Sequence, residues 1–210
     1  MTTATAVTTI PFVTLEVADP AATLAFCRTA FGVDKQVRAR AAQAASSGFR
    51  GFTLSLVVAQ PSTVDSLVAS ALAAGAVELK PARKSFWGYG GVVQAPDGTV
   101  WKVASSAKKN TGPAERRIDD LVLLLGVADV KASKRFYIEH GLSVANSFGS
   151  KYVEFETASS QVKLALYGRA ALAKDAGVAA EGTGSHRIVI AGVVSPFTDP
   201  DGFVWEPASR

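Results

Sequence analysis

The chain has 210 residues, of which 48% are hydrophobic and 19% are charged, and its formal net charge is +4. This composition predicts a folded protein with one sizeable core or two small ones, and no apolar run approaches the roughly 20 residues of a membrane helix. Basic residues are scattered rather than gathered on one face with interleaved aromatics, so we expect no nucleic-acid partner and no membrane partner. A single cysteine, Cys27, excludes an intramolecular disulfide and fits a small, buried helix residue. The N-terminal stretch lacks the pattern of a signal peptide, so we expect a cytoplasmic protein.

The first half of the chain contains two strand–helix patterns in succession. Asp19 and Ser62 are placed to cap the two helices, and Gly32 and Gly75 are placed to end them. Residues 42–50 are rich in Ala and Ser and predict a loop. The predicted strands are 10–17, 35–41, 52–59, 77–80, 90–94 and 99–104, and the predicted helices are 20–31 and 62–74.

The second half follows a polar stretch at 106–116 that reads as a linker. Its first helix, 130–139, has Asp129 at the capping position and Gly141 just beyond its end. A further short helical pattern covers 169–175, within an Ala- and Gly-rich region, and a turn is predicted at 157–160. The predicted strands are 118–125, 142–147, 150–156, 161–167, 186–191 and 203–206.

An internal repeat organises these elements. Residues 10–32 (IPFVTLEVADPAATLAFCRTAFG) parallel residues 118–141 (IDDLVLLLGVADVKASKRFYIEHG), and QAPDGTVWKV at 94–103 parallels TDPDGFVWEP at 198–207. The repeating unit is β-α-β-β-β, with two complete copies near 50–105 and 117–168 and a truncated copy at either end. One unit leaves a sheet face uncovered, so the units must pair. We therefore predict an α+β protein with a first module at 8–105, a linker at 106–116 and a second module at 117–208.

The repeat resembles the vicinal-oxygen-chelate superfamily, also called the glyoxalase/bleomycin-resistance/extradiol-dioxygenase proteins. The resemblance rests on VTLEVADPAATLAFCRTAFG at 13–32, APDGTVWKVA at 95–104 and DPDGFVWEPA at 199–208. It implies paired βαβββ units that form cupped, half-open sheets. It also implies an enzyme of the glyoxalase, lyase, isomerase or dioxygenase type, or a non-catalytic protein that sequesters a small molecule. Such proteins often pair modules across a dimer, so a homodimer is possible.

Enzymes of this superfamily place metal ligands early in the first strand, early in the middle strand and late in the last strand of a module. In the first module these positions fall on Phe12, Phe52 and Lys102. Phenylalanine has no lone pair to donate, and a protonated lysine repels a cation. The resemblance therefore implies that the first module holds no metal.

In the second module the same positions fall on Asp120, His186 and Glu206. One imidazole and two carboxylates suit Zn, Ni, Mn or Fe, and Glu206 could act as the catalytic general base if it left the metal. Asp119 or Arg187 could take the inward position instead. A structural interpretation is also open, because the aspartates stand at a strand entry, His186 follows a polar loop and Glu206 is close to the C-terminus.

A segment rich in aromatics and glycine, SFWGYGGVV at 85–93, either stacks on a flat ligand or forms a glycine-bent hairpin. The leading hypothesis is a small-molecule-binding protein with no obligatory metal. Its cavity would be lined by four aromatics: Phe12, Phe52, Trp87 and Tyr89. The alternative is a divalent-metal-dependent lyase or isomerase that acts on an α-oxo or vicinal-oxygen substrate through Asp120, His186 and Glu206. A purely structural or interaction role is a third possibility.

Overall fold

A computed structural model of the chain describes residues 9–156, 160–193 and 195–208. The helices in this part are α1 (Pro20–Phe31), α2 (Pro61–Ala73), α3 (Val130–Glu139) and α4 (Arg169–Ala176). None of these helices is long and apolar enough to cross a membrane. The strands are β1 (Val13–Val17), β2 (Val37–Ala41), β3 (Ser46–Gly48), β4 (Phe52–Val57), β5 (Val77–Ser85), β6 (Gly88–Gln94), β7 (Val100–Ser105), β8 (Asp120–Val127), β9 (Val144–Phe148), β10 (Tyr152–Phe155), β11 (Lys163–Gly168), β12 (Gly182–Gly184), β13 (Ile188–Val193), β14 (Phe197–Thr198) and β15 (Val204–Pro207).

The larger sheet has eight strands in the order β5-β6-β7-β4-β8-β11-β10-β9. Each complete unit of the repeat contributes four of them, in which the first and last strands are parallel neighbours and the other pairs are antiparallel. The two units meet where β4 pairs antiparallel with β8, from Phe52 opposite Leu125 to Val57 opposite Asp120. The mixed α+β architecture of paired βαβββ units is thus confirmed.

The truncated copies from the two ends of the chain form the second sheet, in the order β14-β15-β13-β1-β2. Here β1 pairs antiparallel with β13, with Val13 opposite Ile190, while β1–β2 and β13–β15 are parallel. Both sheets therefore combine strands from both halves of the sequence. The modules 8–105 and 117–208 remain a proposed division of the repeat, and the linker proposed at 106–116 contains no helix or strand.

Local signals set four of the eight helix ends, at Asp19, Gly32, Asp129 and Gly177. The Asp19 carboxylate accepts from Ala22 N at 2.9 Å, and Asp129 accepts from Lys131 N at 2.8 Å and Ala132 N at 3.1 Å. Gly32 ends α1 in the left-handed conformation with φ 75°.

The start of α2 differs from the prediction, because Gln60 rather than Ser62 precedes it and Pro61 is its first residue. The Gln60 side chain does not cap the helix. Its Oε1 accepts from the backbone N–H groups of Thr111 at 2.7 Å and Gly112 at 3.1 Å, and its Nε2 donates to Pro113 O at 2.6 Å. A contact distant in sequence thus replaces the local cap, and it holds the 106–116 segment against the start of α2.

Three short strands were not predicted, and two of them, β3 and β12, pair with each other as a small antiparallel ribbon. Their sequences, SSG and GTG, carry no apolar alternation. The turn predicted at 157–160 falls mostly on residues outside the described ranges.

One hydrophobic core joins both sheets to α1, α2 and α3. Phe31 of α1 packs on Trp101 of the eight-stranded sheet, with ring centroids 4.8 Å apart. Cys27 lies in the same core, where burial raises the pKa of its thiol to about 12. This environment agrees with the prediction of a small, buried helix residue.

Tyr137 of α3 lies between the two sheets and forms a buried polar chain with residues of and beside the five-stranded sheet. Its hydroxyl donates to Asp199 Oδ2 at 2.6 Å and accepts from Trp205 Nε1 at 3.2 Å. The other oxygen of Asp199 accepts from Phe203 N at 2.8 Å. Burial raises the pKa of the Asp199 carboxyl, and it raises the pKa of Tyr137 well above its usual value. The ring of Tyr137 contacts Phe155 of the eight-stranded sheet and Trp205 of the five-stranded sheet.

We predict that Tyr137→Phe lowers the free energy of unfolding by about 2 kcal/mol, because it leaves a buried carboxylate oxygen and a buried indole N–H without their shared partner. Urea unfolding followed by fluorescence measures this change. Tyr89→Phe is the control, since it removes an exposed hydrogen bond to Asp65 and should cost less than about 0.5 kcal/mol. Equal effects of the two substitutions would contradict a structural role for the buried chain.

Candidate functional site

The outer face of the eight-stranded sheet, meaning the face opposite the core, is covered in part by α4. Leu172 and Ala173 of α4 pack with Leu124 and Tyr167 of that face. Lys102 Nζ lies 2.6 Å from Asp175 Oδ2. Lys80 Nζ donates to the carbonyl oxygens of Lys174 at 2.6 Å and Asp175 at 2.7 Å, at the C-terminal end of α4. Lys102, which occupies the position of a metal ligand in the repeat, thus anchors a helix of this chain.

Asp120 lies on β8 of the same sheet, where its Oδ1 is 2.9 Å from Lys163 Nζ. Asp119, the alternative inward residue, pairs with Arg117 Nε at 3.4 Å near the strand entry. Both aspartates are therefore neutralised by basic side chains close to them.

Glu206 lies on the other sheet, where it shares a guanidinium with a second glutamate. Arg40 Nη1 donates to Glu206 Oε2 at 3.1 Å, and Arg40 Nη2 donates to Glu16 Oε1 at 2.8 Å. The bond to Glu206 is the main cause that raises the pKa of Arg40. Glu16 and Arg40 were not among the predicted site residues. The sequence signal for this ion pair is a glutamate in the largely apolar strand VTLEV together with the arginines of the strand VRARA.

His186 precedes β13, and both of its ring nitrogens face backbone carbonyl oxygens. Nδ1 lies 2.5 Å from Arg50 O and Nε2 lies 2.9 Å from Asp201 O. The ring stacks on Phe203 with centroids 4.0 Å apart. The imidazole thus ties the segment before β4 to the turn before β15, and neither nitrogen presents a lone pair to a ligand. The neighbouring Arg187 has a positive φ of 55°, and its carbonyl accepts from Glu16 N at 2.9 Å.

The structure does not bring Asp120, His186 and Glu206 together, because Asp120 and Glu206 lie on different sheets and His186 is bonded to backbone. Within residues 9–156, 160–193 and 195–208, no group of three or more His, Cys, Asp or Glu side chains is placed to hold a metal ion. The residues present do not fit the metal that the fold implies. Glu206 is likewise held in an ion pair rather than placed beside a metal as a general base.

The four aromatics proposed as cavity lining lie in three places. Phe12 is buried beside the five-stranded sheet, with the Arg38 guanidinium 3.5 Å from its ring centroid. Trp87 is 81% exposed at the tip of the β5–β6 hairpin. The Tyr89 hydroxyl donates to Asp65 Oδ1 at 2.7 Å. Trp87 and Tyr89 line one cavity of about 180 Å³ beside Lys80 and Lys102. Phe52 lies in the third place, a cleft between β4, the neighbouring strands β6 and β7, and the segment after α4.

This cavity, which we call the Phe52 cleft, has a volume of about 330 Å³ and lies where β4 and β7 begin and β6 ends. Val178 and Ala179, just after α4, form its outer wall. A wider cleft of about 600 Å³ runs along α1, but alanines make up much of its lining and it lies outside both sheets. The Phe52 cleft therefore has the stronger character of a ligand site. The rest of its lining comprises Gly48, Phe49, Arg50, Phe52, Gln94, Gly98, Thr99, Val100 and Glu181.

Comparison with solved structures supports the fold. Glyoxalase I from Zea mays superimposes with a TM-score of 0.61 over 94% of this chain and 90% of that chain, at 13% identity. A putative dioxygenase from Bacillus subtilis gives a TM-score of 0.53 over 93% of this chain and 72% of that one, at 12% identity. No protein-family model matches the sequence, and no curated protein matches it. The chain thus shares the paired-βαβββ fold of these glyoxalase and dioxygenase structures, and at these identities the likeness shows the fold alone.

We predict that His186→Ala lowers the free energy of unfolding by about 2 kcal/mol, because it removes two carbonyl contacts and a ring stack that join distant segments. His140→Ala is the matched control. The His140 ring nitrogen Nδ1 lies 2.8 Å from Phe136 O within its own helix, and the ring packs on Phe136 and Phe197, so its loss removes one carbonyl contact rather than two and should cost less. Urea unfolding measures both variants.

Metal analysis of untagged protein should show no stoichiometric transition metal. Metal that disappears in His186→Ala would contradict a structural role for His186.

We predict that Arg40→Met destabilises the protein more than Glu206→Gln, by about 1 kcal/mol. The Glu16 side chain is only 13% exposed, so the loss of Arg40 leaves a nearly buried carboxylate without its cation, whereas Glu206 is 41% exposed and can be solvated. Thermal unfolding at low and high salt compares the two variants. A larger effect of Glu206→Gln would show that Glu206 has a role beyond this ion pair.

Proposed function

We propose that this protein binds a small organic molecule in the Phe52 cleft without an obligatory metal ion, for sequestration or for metal-free chemistry. The observation that carries the proposal is the cleft itself, which combines aromatic and aliphatic walls with a few polar groups at one end of a sheet. Its volume of about 330 Å³ is at the lower end of the range typical of ligand sites. That size suits a molecule of one ring rather than an extended chain.

The walls of the cleft are held in place by bonds between distant parts of the chain. Phe49 N donates to Glu181 O at 2.9 Å, and Arg169 Nη2 donates to Phe49 O at 2.6 Å. Arg169 Nε also donates to Ala180 O at 3.1 Å. These contacts attach the segment after α4 to the segment before β4, so the cleft is preformed and a ligand would not have to order it.

The absence of a fitting ligand set among the described residues gives no support to the metal-dependent lyase or isomerase through Asp120, His186 and Glu206. A small-molecule site needs none of those three residues. An apolar ring inserted against Phe49 and Phe52 would gain the free energy of burying its surface, at about 25 cal/mol for each Å².

Filling the cleft from its rim tests the proposal. Ala179 is an exposed residue of the outer wall, so Ala179→Trp places an indole over the cleft without entering the core. We expect wild-type protein to gain thermal stability in millimolar benzamide or benzoate, and Ala179→Trp to lose at least tenfold in apparent affinity.

The matched control is Ala171→Trp, at an exposed position of α4 that does not line the cleft. This variant should bind the same compounds as wild type does. Absence of any stabilisation in wild type, or equal binding by Ala179→Trp and Ala171→Trp, would refute the Phe52 cleft as the site.

A further inference from the structure

We propose that the Phe52 cleft selects a small organic anion, an aromatic or aliphatic monocarboxylate whose carboxylate pairs with Arg50. This inference rests on the proposed function and names the chemical class of its ligand. Arg50 lies between Phe49 and Gly51, immediately before β4, and its side chain is part of the cleft lining.

Arg50 carries a partly buried charge without an acidic partner. Its Nη2 donates to the backbone carbonyl of Asp97 at 2.5 Å, while its Nη1 is buried and has no hydrogen-bond partner. In the described ranges, no carboxylate lies within ion-pair distance of this guanidinium. Burial lowers the pKa of Arg50, and the charge of Asp97 only partly opposes this effect.

A second arginine adds to the positive potential. The positive charge of Arg187 repels that of Arg50 and lowers the pKa of Arg50. Arg187 Nε is buried and has no hydrogen-bond partner among the described residues. The Asp97 carboxylate, whose charge attracts Arg50, accepts from Thr99 N at 3.0 Å and from Thr99 Oγ1 at 2.8 Å within its own turn. Asp97 is thus already bonded within its own turn. Glu181 also lines the cleft, but neither carboxylate forms an ion pair with Arg50 among the described residues.

The backbone makes room for this cation. Gly98 follows Asp97 with φ 86°, and a Cβ atom there would come within 2.9 Å of Arg50 Nη2. Only glycine lets the turn adopt this conformation and lets the guanidinium lie against it. The Asp-Gly turn of the first repeat therefore seats Arg50 at the polar end of the cleft.

The chemistry of the lining decides the class of anion. A buried, unpaired guanidinium favours a carboxylate or phosphate oxygen, and both would form charge-assisted hydrogen bonds. The other polar side chains of the lining are Gln94, Thr99 and Glu181, and the apolar walls are formed by Phe49, Phe52, Val100 and Val178. A free inorganic anion would leave those walls uncovered, whereas a monocarboxylate with an apolar body contacts both parts of the cleft.

The experiment compares benzoate, benzamide and inorganic phosphate as probes in thermal-shift and calorimetric titrations. Wild type should bind benzoate at least tenfold more tightly than benzamide, which has the same shape without the charge. Arg50→Met should bind the two compounds alike. Arg135→Met, at an exposed arginine of α3, changes the net charge equally and should keep the preference for benzoate.

A purely structural role for Arg50 makes a different prediction. If the charge is present for the ligand, Arg50→Met without ligand should melt at or above the wild-type temperature, because a buried unpaired charge is removed. Marked destabilisation of unliganded Arg50→Met would overturn the inference.

The binding experiment has further outcomes. Equal binding of benzoate and benzamide by wild type, both blocked in Ala179→Trp, would overturn the inference while leaving the proposed function intact. Absence of all binding would refute both, and phosphate binding as tight as benzoate would overturn the organic class.

Discussion

The antiparallel pairing of β4 with β8 is the contact on which the rest of the structure depends. It joins the first strands of two βαβββ units, so the last strands β7 and β11 fall on either side of the central pair and the hairpins extend outward. The central strands are buried, with Leu54 and Leu56 opposite Leu123 and Leu121. The same arrangement recurs where β1 pairs with β13, so the two chain ends complete a second sheet. A strand needs its apolar face buried and the N–H and C=O groups of its edge hydrogen-bonded. Pairing the two units meets both needs at once.

The two sheets use their outer faces differently. The eight-stranded sheet receives α4 and the segment after it, which Lys80 and Lys102 attach at the end of that helix. The five-stranded sheet carries Arg40 between Glu16 and Glu206. In both places a basic side chain of this chain meets carboxylates or carbonyl oxygens, so these polar groups are satisfied within the protein. Arg50 in the Phe52 cleft differs, because no carboxylate of the described residues forms an ion pair with it, and the proposal of an anionic ligand rests on this contrast.

The two Pro-Asp-Gly turns show how equal sequence motifs acquire unequal roles. Asp97 is bonded to Thr99 within its own turn, and its carbonyl receives Arg50. Asp201 accepts from Ala128 N at 2.7 Å and from Ser133 Oγ at 2.6 Å, so it fastens its turn to the start of α3. The tryptophans that follow differ too, since Trp205 Nε1 reaches Tyr137 whereas Trp101 Nε1 has no partner among the described residues. The charge reversal between Lys102 and Glu206 follows their surroundings, with an aspartate on α4 facing the lysine and an arginine on β2 facing the glutamate.

Local chemistry in the sequence determined the helices, the strands and the repeat. The caps at Asp19 and Asp129 act over three residues, and the apolar alternation of strands such as VTLEV acts over one strand, so both can be recognised without the fold. Tertiary structure alone decided what depends on strands and loops distant in sequence. In the folded chain the Gln60 side chain binds the 106–116 segment instead of capping a helix. Asp120 and Glu206 lie on different sheets because the complete units pair in one sheet and the chain ends pair in the other. Arg50 stands out only in the fold, because whether a guanidinium lacks a carboxylate depends on which side chains surround it and not on its neighbours along the chain.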